Sequence, residues 1–182
     1  MSSLLAFDHL LRSWIVVHRI GAMNGVMWTL SAAGRGGMIW VLLTLAFIAV
    51  RRLGASALIA VLLALLLASF VSDHVLKPIV QRQRPFISTP GVPVIGGRPG
   101  DSSFPSGHAT NAFAGAYVLS AAGAEPAIVW WVLGVAIAYS RVYLGVHYPL
   151  DVIAGGLVGV ACGASVMAAI GRTRWSGRPR SG

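Results

Sequence analysis

"ASALIAVLLALLLASFVSDHVLK", residues 55–77, decides the fold. From 55 to 76 it is the longest apolar run in the chain, and a helix of about 20 apolar residues crosses a bilayer core. Asp73, His74 and Lys77 gather at its far end, and Asp73 and Lys77, four apart, can pair on one helix face. The composition agrees with a membrane setting. Hydrophobic residues make up 56% of the 182-residue chain, charged residues only 10%, and mean hydropathy is +0.76. A soluble domain carries about 25% charged residues. The length suits one domain.

Working outward, turns separate further apolar runs. Residues 4–20 set Leu4, Phe7, Leu10, Leu11, Trp14, Val16 and Val17 near helical spacing, with Asp8, His9, Arg12, His18 and Arg19 between them. That pattern suits an amphipathic interfacial helix. Residues 4–33 are then either one helix bent near Gly21 or an interfacial helix followed by a short span. "GRGG" at 34–37 and "RRLG" at 51–54 are turns flanking a run at 38–50. Residues 78–104 form a long polar loop with Arg82, Arg84, Arg98 and Asp101, and a loop of that length is commonly functional. Helices are predicted over 106–123, 127–143 and 149–171, before a basic tail with Arg172, Arg174, Arg178 and Arg180.

The expected fold is therefore all-α: an integral membrane bundle of about six helices. One domain covers 1–174, and a basic tail covers 175–182. Six spans put both termini on one side. The Arg51-Arg52 turn and the Arg-rich tail make that side cytoplasmic. The 78–104 loop and the 141–149 turn then face outward from the cell membrane. The net charge of +9 does not signal nucleic acid, because the basic residues sit at the ends of apolar runs and in loops, not on a stripe with exposed aromatics. Cys162, the single cysteine, lies in a Gly/Ala-rich segment and reads as a small buried residue. No cysteine–histidine pattern suggests zinc. The N-terminus lacks the form of a cleaved signal peptide and is expected in the mature chain.

Polar residues converge on the outer end of this bundle. "SSFPSGHAT", residues 102–110, opens a helix at Ser106-Gly107, and a helix N-terminus offers free N–H groups to an anion. Lys77, Arg84 and Arg141 would cradle a dianion there. His108 and His147 suit a phosphoryl transfer in which one histidine attacks phosphorus and the other protonates the leaving oxygen. His147 and Asp151 are four apart, so the carboxylate can hold one ring nitrogen and free the other. With three cations present, no metal is needed to neutralise the developing charge.

Lys77-x6-Arg84-Pro85, Pro105-Ser106-Gly107-His108 and Ser140-Arg141-x5-His147-x3-Asp151 together resemble the three signature motifs of the type 2 phosphatidic acid phosphatase family. They stand in order and with the family's internal spacing. The resemblance implies a six-span membrane phosphatase that needs no metal or other cofactor. His147 would be the nucleophile that becomes a phosphohistidine, Asp151 its orienting carboxylate and His108 the general acid. Lys77, Arg84, Arg141, the Ser106 hydroxyl and the Gly107 N–H would hold the phosphate. Vanadium haloperoxidases are similar in the same motifs but are expected to be larger and soluble.

The partners expected are membrane lipids and a lipid phosphate or pyrophosphate, with oligomeric state open. Undecaprenyl pyrophosphate is favoured, because Arg82 and Arg98 can supply charge for a second phosphate. Phosphatidylglycerol phosphate and phosphatidic acid are the alternatives. A non-enzymatic lipid carrier is more distant, since it would not need both histidines and Asp151. Without a second phosphate, Arg82 and Arg98 are solvated loop charges. His74, Tyr143, Tyr148, Trp130 and Trp131 read as helix-end or packing residues, and Gly155, Gly156, Gly159 and Gly163 as a close helix contact.

Overall fold

The computed structural model describes residues 2–171, so the predicted basic tail, 175–182, lies outside the described residues, as do Arg172 and Arg174. Those residues form α1 (Ser2–Val17), α2 (Asn24–Ala33), α3 (Met38–Ala49), α4 (Ala55–Ser69), α5 (Lys77–Val80), α6 (Pro85–Ser88), α7 (Gly107–Ala121), α8 (Ala127–Tyr143) and α9 (Pro149–Ile170). Among them there is no strand. Leu and Ala dominate α4 and are strong helix formers. The helix continues through a π-helical stretch, Phe70–Leu76, into α5. Such widened turns accompany functional sites. The helix that starts at Ala55 and α9 are each long and apolar enough to cross a membrane. The bent pair α2–α3, with a 54° break at Arg35–Gly37, can make a third crossing, and α8 is a shorter apolar helix.

At the centre lies α7, packed against α4, α8 and α9. Small residues let the backbones meet. A Cβ on Gly155 would lie 2.6 Å from the Ser106 carbonyl oxygen, and one on Gly159 would collide with that of Thr110. The predicted glycine contact is thus the α7–α9 seam, which holds Ser106 close to α9. Trp40 of α3 is wholly buried against Gly115. Cys162 is buried, and Trp130 is buried with its indole N–H donating to the Ala124 carbonyl.

The first segment does not add a sixth pass. α1 lies across one end of the bundle. The Leu150 backbone N–H, at the start of α9, donates to Asp8 at 2.9 Å, and Arg19 donates to the Tyr143 carbonyl at the end of α8. The inner face of α1 carries Asp8, Arg12 and Val16, all buried, whereas Leu4, Phe7, Leu10, Trp14 and Val17 point outward. An outward apolar stripe over a charged inner face suits a helix lying in a bilayer interface. From the same end α2 descends along α8: Met27 packs near Tyr143 and Leu144, and Gly34 meets Ile137. α3 carries on towards the far end, where Phe47 packs edge-on to Trp130. The described helices thus run between the two ends five times, through α2–α3, α4–α5, α7, α8 and α9.

Candidate active site

At the end of the bundle that carries α1, the predicted motifs meet. Lys77, Arg84, Gly107, His108, Arg141 and His147 line one cavity of about 230 Å³. They come from α5, the loop before α6, the first turn of α7, the last turn of α8 and the α8–α9 turn. Ser106 is buried at the α7 N-cap, with its hydroxyl unpartnered. Asp151, in the first turn of α9, is buried behind His147.

The tautomer of His147 follows from its neighbours. Arg84 Nη1 lies 3.1 Å from His147 Nε2, and a guanidinium can only donate, so Nε2 is the acceptor. The ring proton is then on Nδ1, which faces Asp151 Oδ2 at 3.4 Å, too loosely aligned for a hydrogen bond. Burial pushes the imidazole down to about 4. Asp151 pulls the other way, and the charges of Arg84 and Arg141 add to the lowering. At neutral pH, His147 is an uncharged imidazole whose unprotonated nitrogen accepts from Arg84 at the wall of a cationic cavity.

Asp151 is held from several sides. Ser103 Oγ donates to Oδ2 at 2.5 Å, and the Tyr148 N–H donates to the same oxygen at 2.9 Å. Arg82 donates to Oδ1 at 2.7 Å and, through its other terminal nitrogen, to Asp8 at 2.6 Å. The Arg82 guanidinium also lies 3.9 Å from the Tyr148 ring centroid. The expectation that Arg82 serves a second phosphate gives way, because both terminal nitrogens are committed to buried carboxylates. Tyr143 and Tyr148 are packing residues as predicted, both buried, with Tyr143 donating to the Ile20 carbonyl.

Asp101 bridges two cations of the cavity, Lys77 and Arg84. It meets Lys77 at 2.5 Å and Arg84 at 2.6 Å, and Lys77 also pairs with Asp73 at 2.7 Å. Partial burial would raise the Asp101 carboxyl, but the hydrogen bond from Lys77 and the Arg84 and Lys77 charges more than offset it, down to about 2. A carboxylate therefore stands between the two cations expected from the sequence to hold phosphate. Arg141 donates to Ser31 of α2 and keeps its Nε unpartnered. Sequence reasoning missed Asp8, Ser31, Ser103 and the role of Asp101. One signal was available: the chain holds five acidic residues, and Asp8, Asp73, Asp101 and Asp151 all pair with cations here. Among the described residues, no three His, Cys, Asp or Glu side chains gather as a metal-binding group.

A helical bundle that sets two histidines, three cations and a helix N-terminus around one cavity has the groups that phosphoryl transfer requires, on an apolar scaffold. Residues 57–175 match the PAP2 superfamily, and the chain belongs to that family of membrane lipid phosphatases. It is 36% identical over 163 residues to an undecaprenyl-diphosphatase of Sulfolobus acidocaldarius, covering 85% of this chain and 74% of that one. A crystal structure of Aquifex aeolicus LpxE superposes with a TM-score of 0.74 at 29% identity, covering 87% of this chain and 93% of the other. That of a transmembrane PAP2-type phosphatidylglycerolphosphate phosphatase from Bacillus subtilis gives 0.71 at 26% identity, covering 96% and 90%.

Proposed function

We propose that this chain hydrolyses a lipid diphosphate, most simply undecaprenyl diphosphate, through a phosphohistidine on His147 and without a metal. The observation that carries the reading is the unprotonated Nε2 of His147, aimed into a cavity lined by Lys77, Arg84 and Arg141. The substrate phosphate displaces Asp101 from Lys77 and Arg84 and draws the Arg84 guanidinium off Nε2. The phosphate also takes the free Nε of Arg141, the Ser106 hydroxyl and the Gly107 N–H. Nε2 attacks phosphorus, the N–P bond forms, and the P–O bond to the leaving group breaks. His108 gives that oxygen its proton. Asp151 supports the positive charge on the ring, held in turn by Ser103 and Arg82. Water then attacks the phosphohistidine with His108 as base, and phosphate leaves. The cations stabilise charge on the equatorial oxygens in both steps.

The diphosphate choice draws on the Sulfolobus relative named an undecaprenyl-diphosphatase. Phosphatidylglycerol phosphate is the second reading, favoured by the likeness to the Bacillus structure. Membrane sidedness belongs to the same proposal: the site faces outward, with α1 in the outer interface. The test is phosphate release by purified protein in detergent with EDTA. Undecaprenyl diphosphate, phosphatidylglycerol phosphate and phosphatidic acid are offered side by side. Release should survive EDTA and fall by at least about 10⁴-fold in His147→Ala, as when a nucleophile is removed. Equal release by the variant would overturn the mechanism.

A further inference from the structure

A second cavity, of about 300 Å³, adjoins the first. Pro99, His108 and Arg141 line both, whereas His147 lines only the first. His108 and Arg141 thus stand at the boundary between the cavity that holds the nucleophile and the second one. In a displacement at phosphorus the attacking and leaving atoms lie roughly in line. The leaving oxygen ends at His108, its proton donor, and whatever it carries extends into the second cavity.

That cavity holds two arginines outside the three motifs. Arg35 comes from the break between α2 and α3, and Arg98 from the loop before α7. Lys77, Arg82 and Arg84 are each paired with carboxylates, but Arg35 and Arg98 form no ion pair among the described residues. Arg98 lies 5.8 Å from the Phe86 ring centroid, and the Arg35 charge is within electrostatic reach of His108 and Arg141. Trp28, Ile95 and Leu144 supply apolar wall.

We infer that this second cavity receives the leaving phosphate of a lipid diphosphate, held by Arg35 and Arg98, so that these two residues set the preference for diphosphates over monoesters. The inference rests on the phosphohistidine reading above. The terminal phosphorus passes from the bridging oxygen to His147 Nε2. The bridging oxygen takes the His108 proton and leaves on a lipid monophosphate that is still anionic. A monoester would leave instead as a neutral alcohol, for which two unpaired arginines have no use. The apolar wall takes the first carbons of the tail.

The test compares wild type with an Arg35→Gln/Arg98→Gln pair as full chains in detergent. The readout is the ratio of kcat/KM for undecaprenyl diphosphate to that for phosphatidic acid. Loss of charge-assisted hydrogen bonds should lower that ratio at least about tenfold, while an Arg35→Lys/Arg98→Lys pair keeps most of it. A ratio unchanged in the Gln pair, or a wild type with no preference, would overturn the inference. If wild type hydrolyses no lipid, the phosphohistidine reading fails and binding decides this one. Methylenediphosphonate should then compete better than inorganic phosphate for His147→Ala protein, with the difference lost when the Gln pair is added. Equal selectivity with and without the arginines would overturn it.

Discussion

In the proposed mechanism Asp101 stands in the place of a substrate phosphate, between Lys77 and Arg84, and its charge is the reason. A carboxylate held at about 2 stays ionised at every pH at which the protein works, so it competes with substrate throughout. Its side chain is 48% exposed, so each pair is worth what a screened surface pair is worth. Asp101→Asn should therefore lower KM about two- to fivefold, read in steady-state kinetics with kcat little changed. His147 sets the acid limb. The free enzyme holds it neutral until about pH 4, so the nucleophile is lost to protonation, and kcat/KM with it, only below about pH 5. Stability moves in the same direction. An unfolded histidine binds its proton near 6.5, above the folded value, so the unfolded state takes up more protons between 6.5 and about 4 and stability declines across that window. Thermal melts from pH 7 to pH 4 would show the decline, and a melting temperature that does not fall would contradict the buried neutral ring. Every motif residue was legible in the sequence because spacing and residue type are local. Asp101 was not, since nothing in a polar loop announces which cation it will meet.

At the scale of elements, α1 is more than an interfacial strap. Asp8 reaches Arg82 and the Leu150 N–H, and Arg82 reaches Asp151, so the N-terminal helix braces the carboxylate behind His147. Asp8 is almost wholly buried, and removing one partner of a buried pair strands the other charge. Asp8→Asn should lower kcat by up to about 100-fold, the cost of a small misplacement of reacting groups, while KM stays near wild type because no phosphate ligand is touched. A fall in KM-dependent binding with kcat intact would assign Asp8 to substrate instead. The amphipathic character of α1 was readable from residues 4–20, and so were α8 and α9 nearly to their ends. Its partner was not readable: the contact between Asp8 and Arg82 spans 74 residues, and helical periodicity carries no information about pairing across that distance. The break at Arg35–Gly37 was read only as a turn. Its Gly36 lines the catalytic cavity and its Arg35 the second, because close packing of Gly34 on Ile137 and Gly37 on Leu65 holds the bend against the bundle.

For the whole molecule, the number of crossings decides where the ends lie. Six spans would return the N-terminus to the side of Arg51-Arg52. Five passes, with α1 laid across the catalytic end, put it with the active site instead. Arg51 and Arg52 are exposed at the opposite end, unpaired with any carboxylate among the described residues, and the outward-facing site proposed above would place that end on the cytoplasmic side. The end that carries α1 holds Arg12, Arg19, Arg35, Arg98 and Arg141 without ion pairs among the described residues, so the charge count alone does not orient the molecule. Cysteine labelling separates the arrangements. In a Cys162→Ala background, Ser3→Cys and Arg52→Cys would each be exposed to a membrane-impermeant maleimide on intact cells. The five-pass arrangement with an outward site labels Ser3→Cys at once and Arg52→Cys only after permeabilisation. Six spans would protect both until permeabilisation. The same five passes inserted upside down would label Arg52→Cys first and place hydrolysis on the cytoplasmic leaflet, which would move the substrate pool with it.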